Sequence, residues 1–365
     1  MRILHTEASC GWGGQEIRIL SAAQGLIDRG HDVRLVCPSE ARIFQEAPRF
    51  GVPVEALPIG RKRLRGVLAL RAYLKRHAFD VINTHSSTDA WLAALACRLV
   101  AGAPPIVRTR HISAPLSDNA ATRWLYASAT SHIATTGEAR REQLLTTLSV
   151  VPERIVSVPT GVDAARYHPV DAAGKIARRR QPGLPVDAPL VGIVATLRSW
   201  KGHRFLIEAF AGKVPPAAQL VIVGGGPQLD ASTAQVAQSG LHDRVHLVGN
   251  HPDVVPWLQA LDVFVPPPFA NEGVPKTLMQ AMVCGLPCNT TNIGAISELA
   301  NDDLTARLVP AQNVAVLQDS LCELLADEPL RPRLGSAARE HVVATHGRAL
   351  MLDWMEALLR KAAKV

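Results

Sequence analysis

Short apolar runs alternate with longer segments of helical period along most of the chain. RILHTEA opens as a strand, and the positions from 14 to 29 then read as a helix. DVRLVC, VEALPI, DVINTH and PIVRTRH follow as strands, separated by helices near 40–50, over 61–77 and over 88–101. A second series starts at LVGIVATL. It continues through a helix over 202–212, QLVIVGGG, a helix over 228–239, VHLVGN, a helix over 253–260, DVFVPP and a further helix. Each alternation predicts a parallel sheet covered by helices on both faces. Two such series in 365 residues predict two domains, at 1–165 and 166–348, with a closing helix over about 349–365 packing back on the first. The segment 158–189, rich in proline, glycine and charge, reads as the linker between them.

The chemistry concentrates where strands end. Val263, Phe264 and Val265 form an apolar run that Pro266, Pro267 and Pro268 terminate, because proline lacks the ladder donor. Glu272 and Gly273 then precede a largely buried helix through Thr277, Leu278, Met279, Ala281 and Met282, closed by Gly285 and Pro287. Free amides at a helix start favour an anion. A carboxylate beside a phosphate would repel it, so Glu272 either accepts bonds from neutral hydroxyls, sugar hydroxyls being the obvious candidates, or only solvates the helix start. The loop Gly11-Trp12-Gly13-Gly14 is either a tight strand-to-helix turn or a place where backbone approaches a ligand closely. His85 and His111 end predicted strands, where open α/β sheets bind ligands, although a lone histidine is commonly structural.

Composition narrows the classes. The chain is 47% hydrophobic and 19% charged, as expected for a globular protein, and has no apolar run near the roughly 20 residues of a membrane span. The N-terminus reads as a first strand and not as a secretory signal. Cysteines at 10, 37, 97, 284, 288 and 322 show no paired CxxC pattern, which predicts buried reduced thiols in a cytosolic protein. Of the net charge of +7, most lies in residues 1–165, which carry 20 Lys and Arg against 14 Asp and Glu. The run RKRLRGVLALRAYLKRH at 61–77 is either a core helix with a solvated basic face or a helix lying on an anionic membrane. Aromatics at 4%, with no interleaved basic platform, argue against nucleic acid.

The order and spacing of several motifs resemble one family. GWGGQE near the start, TRH at 109–111, TGVD at 160–163, ATLRSWKGH at 195–203, VGGGP at 223–227, EGVPKTLMQAM and NIGAISEL at 292–299 together resemble the retaining GT-B glycosyltransferases of family 4, of the lipopolysaccharide and cell-surface glycan type. The resemblance implies an α/β GT-B fold, two Rossmann-like domains with parallel sheets facing a central cleft. It assigns Lys201 to the diphosphate of a nucleotide sugar, Glu272 to donor sugar hydroxyls and His111 to the donor sugar's surroundings. Gly224, Gly273, Val274, Pro275, Lys276 and Thr277 belong with the donor, and Gly13, Gly14 and His85 with the acceptor side of the cleft.

Three positions depart from the family pattern. Thr196 stands where arginine is usual, and Arg198 is the expected substitute at the phosphates. Gln280 replaces the second glutamate and keeps an acceptor oxygen for the ribose. Lys276 replaces an apolar or neutral residue, and either points to solvent or pairs with the carboxylate of an acidic sugar.

The implied function is transfer of a sugar from a nucleoside diphosphate, with UDP expected, to a glycan or lipid-linked acceptor of bacterial lipopolysaccharide or surface polysaccharide synthesis. Front-face transfer is the expected route, without cofactor or metal. No DxD-like motif stands at a cleft strand end, and Asp302-Asp303 reads as a solvated turn. The expected location is cytoplasmic, at the inner face of the membrane. A nucleotide-sugar epimerase and a non-catalytic sugar-nucleotide binder are the rival readings. An NAD-dependent dehydrogenase fits less well, because the full glycine fingerprint is absent.

Overall fold

The structure, a computed structural model, describes residues 1–111, 116–148, 150–270, 272 and 274–364. The chain divides into two compact units, Met1–Gly161 with Ala349–Val365, and Val162–Arg348.

The first unit is built on seven parallel strands: β1 (Arg2–Thr6), β2 (Asp32–Cys37), β3 (Val54–Ala56), β4 (Val81–Thr84), β5 (Ile106–Arg110), β6 (His132–Thr135) and β7 (Ile155–Ser157). Their order is β3-β2-β1-β4-β5-β6-β7. The order reverses between β1 and β4, so the crevice beyond their carboxyl ends is the place a ligand enters such a sheet. Every residue of β4 and β5 is buried, as expected where both faces are covered. One face packs Ile19, Leu20 and Leu26 of helix Gly14–Asp28, together with Met351, Leu352, Met355 and Leu359 of helix Arg348–Ala363. Gly25 permits this packing, because a Cβ there would run into the Leu352 side chain. Arg29 fastens the same helix through Asp353 and Glu356, at 2.7 and 3.0 Å. The apolar pattern predicts five strands here and the structure has seven; β6 and β7 are only four and three residues long.

The second unit holds β8 (Leu190–Val194), β9 (Gln219–Val223), β10 (Val245–Gly249) and β11 (Val263–Phe264), parallel and ordered β10-β9-β8-β11. A parallel pair, β12 (Asn289–Thr291) and β13 (Arg307–Val309), continues the layer through a single bridge from Phe264 to Cys288. The prolines explain why that junction is so thin. Pro266 to Pro268 have no N–H to donate, and the hydroxyls of Thr290 and Thr291 bond to the carbonyls of Pro266 and Pro268 instead.

The segment 158–189 is not a free linker. From Val162 onward it belongs to the second unit and contains helix Ala172–Arg180. Arg179 is buried, pairs with Asp262 at 2.6 Å and donates to the carbonyls of Ala260, Val186 and Ala188. A run of three arginines looks solvated in sequence, yet its middle member is a core fastener.

All six cysteines are free thiols. Cys37, Cys284 and Cys288 are buried and Cys97 and Cys322 partly so, but Cys10 is exposed, contrary to the expectation of buried thiols throughout. Helix Leu64–Arg76 buries Val67, Leu70, Tyr73 and Leu74 and turns Leu64 and Leu68 outward among basic residues. Among the described residues no helix is long and apolar enough to cross a membrane.

Candidate active site

In the second unit the strand order turns between β8 and β11, and the loops leaving these two strands carry the predicted donor residues. After β8 the chain makes a short 3-10 turn, Ser199–Lys201, and Gly202 (φ 79°) starts helix His203–Ala211. Only glycine serves at 202. Its φ lies in the left-handed region, and a Cβ would overlap the Pro267 carbonyl oxygen of the loop leaving β11. That close approach sets Lys201 beside Glu272, with Nζ 2.9 Å from Oε1 and 2.8 Å from Oε2. The Glu272 side chain is only 7% exposed. Its backbone is held by Gly294 (φ 55°) of the NIGAISEL motif, where a Cβ would overlap the Glu272 carbonyl oxygen.

The other predicted donor residues surround this pair unevenly. Gly224 (φ 149°) is required by the fold, because a Cβ there would overlap the Ala195 carbonyl oxygen. Val274 is half-buried against the apolar core, and Pro275 caps helix Lys276–Val283. Thr277 is half-buried in the first turn of that helix. Gly273 lies outside the described residues. Gln280 is buried, and its Nε2 donates to the Tyr167 hydroxyl at 2.8 Å. Burial, with the Arg166 cation adding to it, pulls the partly buried Lys276 amine down to about 8. Arg198 stacks over the Trp200 ring at 5.5 Å and lines a cavity of about 280 Å³ with His203, Arg204, Gln228 and Phe269.

In the first unit the carboxyl ends of β1, β4 and β5 bring three histidines into a chain. His5 Nδ1 is 2.8 Å from His85 Nε2, and His85 Nδ1 is 3.0 Å from His111 Nε2. The His5 and His85 rings stack with centroids 5.1 Å apart. Burial holds His5 down to about 4. Burial also holds His85 and His111 well below the usual imidazole range, helped by the neighbouring rings and by the Arg18 and Arg108 cations. Three neutral rings carry one N–H each, which leaves two consistent patterns. In one, a bare His5 Nε2 ends the chain inside the core and His111 keeps an N–H at the outer end. The other places an N–H on His5 Nε2, which has no partner among the described residues. A buried donor without an acceptor is the rarer defect, so the first pattern is favoured and His111 acts as a donor.

Buried Asp89 braces this chain, and a second buried carboxyl, Glu7, follows β1. Asp89 accepts from Thr6 Oγ1 at 2.6 Å and from the amides of His85 and Ser86 at 2.9 and 2.7 Å. Ser86 and Asp89 form a reciprocal capping box at the start of helix Ser87–Arg98. Glu7 accepts from the Ser9 amide and from Gln15, and burial together with Asp89 pushes its carboxyl up. Gly13 and Gly14 begin helix Gly14–Asp28 with no positive φ, and a Cβ on Gly14 would meet nothing within 4 Å. Internal packing therefore does not require glycine at 14. Sequence reasoning missed His5, Glu7, Asp89, Arg108 and Arg110. The available signal was polar residues ending apolar strands, in RILHTEA and IVRTR. Among the described residues no three His, Cys, Asp or Glu side chains gather as metal ligands.

Two units with parallel sheets, each with its polar residues at the strand ends, are the arrangement expected of the GT-B class, and the family comparisons bear that out. The family described as Glycosyltransferase Family 4 matches residues 12–166, and the family described as Glycosyl transferases group 1 matches residues 175–341. The chain belongs to these glycosyltransferases. It is 27% identical to a D-inositol 3-phosphate glycosyltransferase of Xylanimonas cellulosilytica, covering 90% of this chain and 87% of that one. It is 26% identical to the UDP-Gal:alpha-D-GlcNAc-diphosphoundecaprenol alpha-1,3-galactosyltransferase of Escherichia coli, covering 90% and 89%. Among solved structures, Anabaena Alr3699/HepE in complex with UDP superposes with a TM-score of 0.84 at 21% identity, over 99% of this chain and all of that one.

Proposed function

We propose that the protein moves a sugar from a nucleoside-diphosphate sugar to a hydroxyl of a glycan or lipid-linked acceptor, retaining the donor's anomeric configuration and using no metal ion or cofactor. The observation that carries this reading is the Lys201–Glu272 pair at the β8–β11 crevice. A cation and a carboxylate held together there supply both things a sugar nucleotide needs, charge for its diphosphate and acceptors for its sugar hydroxyls. As the glycosidic bond breaks, negative charge gathers on the leaving phosphate. Lys201 and the amides opening helix Lys276–Val283 stabilise it. The leaving oxygen takes the proton of the attacking acceptor hydroxyl on the same face, which preserves the configuration. Gln280 serves the ribose. At the strand ends of the first unit His111 offers an N–H to a ligand, and Gly13 and Gly14 leave room for the acceptor.

UDP as the nucleotide is supported by the likeness to the Anabaena protein in complex with UDP. The galactosyltransferase relative, named for a diphosphoundecaprenol-linked substrate, supports a lipid-linked acceptor in bacterial surface polysaccharide or lipopolysaccharide synthesis. The outward Leu64 and Leu68, set among Arg61, Lys62, Arg63 and Arg65, support peripheral contact with the anionic inner face of the cytoplasmic membrane.

Proton NMR of the product formed from an α-linked UDP-sugar tests the reading, with the reaction run in magnesium and in EDTA. An α-linked product at equal rates is expected. A β-linked product, or turnover that needs magnesium, would overturn the retaining, metal-free scheme.

A further inference from the structure

In the second unit a cavity of about 280 Å³ lies between the turn Ser199–Lys201, the start of helix His203–Ala211 and helix Leu229–Gln238. Arg198, His203, Arg204, Gln228, Ser232 and Phe269 supply most of its lining, and none of Lys201, Glu272, Gly224, Lys276 and Gln280 does. His203 is only 3% exposed, and both its ring nitrogens are buried without a partner among the described residues. Burial, helped by the Lys201 cation, holds the ring down to about 4. It is therefore neutral near pH 7 and carries one N–H donor and one bare nitrogen, neither of them satisfied by the described residues. An apolar side chain at 203 would avoid that cost, so packing alone does not account for a histidine there.

The two lining arginines are held in place by aromatic rings. The Arg204 guanidinium lies 4.4 Å from the Phe205 ring centre and 5.6 Å from that of Phe269, and Arg198 lies over Trp200. Stacking engages the faces of these groups and leaves their N–H edges free. Among the described residues neither guanidinium makes a hydrogen bond or an ion pair, and Glu208 and Asp230, acids on the same two helices, pair with neither. No carboxylate among the described residues lines the cavity. Two fixed cations, one buried N–H and the neutral polar groups of Gln228 and Ser232 thus meet whatever enters it.

We infer that this cavity binds a small oxyanion, a phosphate or a carboxylate on a compact apolar body, as an effector of the donor site. Forked guanidinium groups match either oxyanion, the His203 N–H adds a further donor, and the Phe269 ring suits the apolar part. The segment from Arg198 to His203 borders the cavity and also carries Lys201. Filling the cavity and binding a donor at Lys201 are therefore coupled, each changing the affinity for the other by the same factor. The word effector rests on the donor reading proposed above, whereas the anion site stands on its own residues.

The test is calorimetric titration of the full chain with inorganic phosphate and with succinate, first saturating it with UDP so that the donor site is occupied. The wild type is compared with His203→Leu, which removes the two unpartnered nitrogens, and with Ala231→Glu. The second variant sets a carboxylate at an exposed lining position in the first turn of helix Leu229–Gln238, where an acid is tolerated, and decides alone should His203→Leu fail to fold. Binding of at least one oxyanion to the UDP-loaded wild type, weakened at least tenfold in both variants, is the expected result. UDP affinity with the cavity filled should differ at least threefold from that with it empty. Tighter phosphate would assign a phosphorylated effector, and tighter succinate a carboxylate. No oxyanion binding by the UDP-loaded wild type, or equal affinity in the wild type and Ala231→Glu, would overturn the inference. An unchanged UDP affinity would overturn the effector role. A wild type that binds oxyanion but not UDP would sustain the anion site and contradict the proposed donor reading.

Discussion

One ammonium, Lys201 Nζ, spans both carboxylate oxygens of Glu272, at 2.9 and 2.8 Å, although 71 residues separate the two in sequence. Gly202 and Gly294 hold the two backbones, and neither position has room for a side chain. The pair is thus built by close backbone approach and not by chance contact of long side chains. If Lys201 turns to a diphosphate, Glu272 must find new donors, and sugar hydroxyls are donors. Lys201→Ala is expected to lower kcat/KM for transfer by about 10²-fold or more, the scale of removing one charge-stabilising group. It should also destabilise the second unit by about 1–2 kcal/mol, because a nearly buried carboxylate loses its partner. Steady-state kinetics and urea unfolding of the same preparation check both.

Glycines at the strand ends divide into two kinds. Gly202→Ala places a methyl against the Pro267 carbonyl at a positive φ, and a loss of several kcal/mol is expected, enough to impair folding. Gly14→Ala meets nothing within 4 Å, so its thermal midpoint should match the wild type within a degree or two. If Gly14 leaves space for the acceptor, the same variant should raise the acceptor KM at least tenfold. An unchanged acceptor KM would remove Gly14 from the site.

The buried titratable groups of the first unit pull stability in opposite directions with pH. His5, held down to about 4, favours the folded state fully above about 6.5, and that contribution is lost as pH falls toward 4. Glu7, pushed up to about 8, does the reverse: its contribution is complete below about 4.5 and is lost as pH rises through 8. The slopes overlap and oppose, which flattens the wild-type profile. Glu7→Gln removes the Glu7 slope, so its stability relative to wild type should rise by about 3 kcal/mol between pH 5 and pH 8. Urea unfolding at the two pH values measures this, and parallel profiles for the two proteins would contradict it.

Lys276 opens the helix beside Glu272, and the protein's own fold supplies no carboxylate partner for it among the described residues. If it recognises an acidic donor sugar, Lys276→Ala should reduce turnover of a UDP-uronic acid at least tenfold while sparing UDP-glucose. Equal losses on both donors would exclude that role.

Much of this was legible in the chain, and the failures have physical reasons. The alternation of RILHTEA, DVRLVC and DVINTH with helical stretches marks a parallel sheet, because strands buried on both faces are continuously apolar. The motifs around Lys201 and Glu272 pointed to their place at the strand ends, but not to their pairing, which depends on distant glycines. Arg198 matched the phosphate role by charge alone, and its stacking on Trp200 was not legible in the spacing. His85 and His111 could be named singly, whereas their junction with His5 needs β1 and β4 to be neighbours, a fact that spacing does not contain. Arg179 and Arg108 were hidden because an arginine's burial depends on what accepts its five donors, and those acceptors are backbone carbonyls and a tyrosine hydroxyl that the fold brings to them.

The most direct test of the donor site is a thermal-shift comparison of wild type and Lys201→Ala with UDP, GDP, ADP and NAD, each in magnesium and in EDTA. A ligand that binds only the folded chain must raise its midpoint. The predicted result is a shift with one nucleoside diphosphate, UDP, that is the same without metal and largely lost in Lys201→Ala. A shift with NAD alone, or a UDP shift unaffected by removing Lys201, would contradict the account.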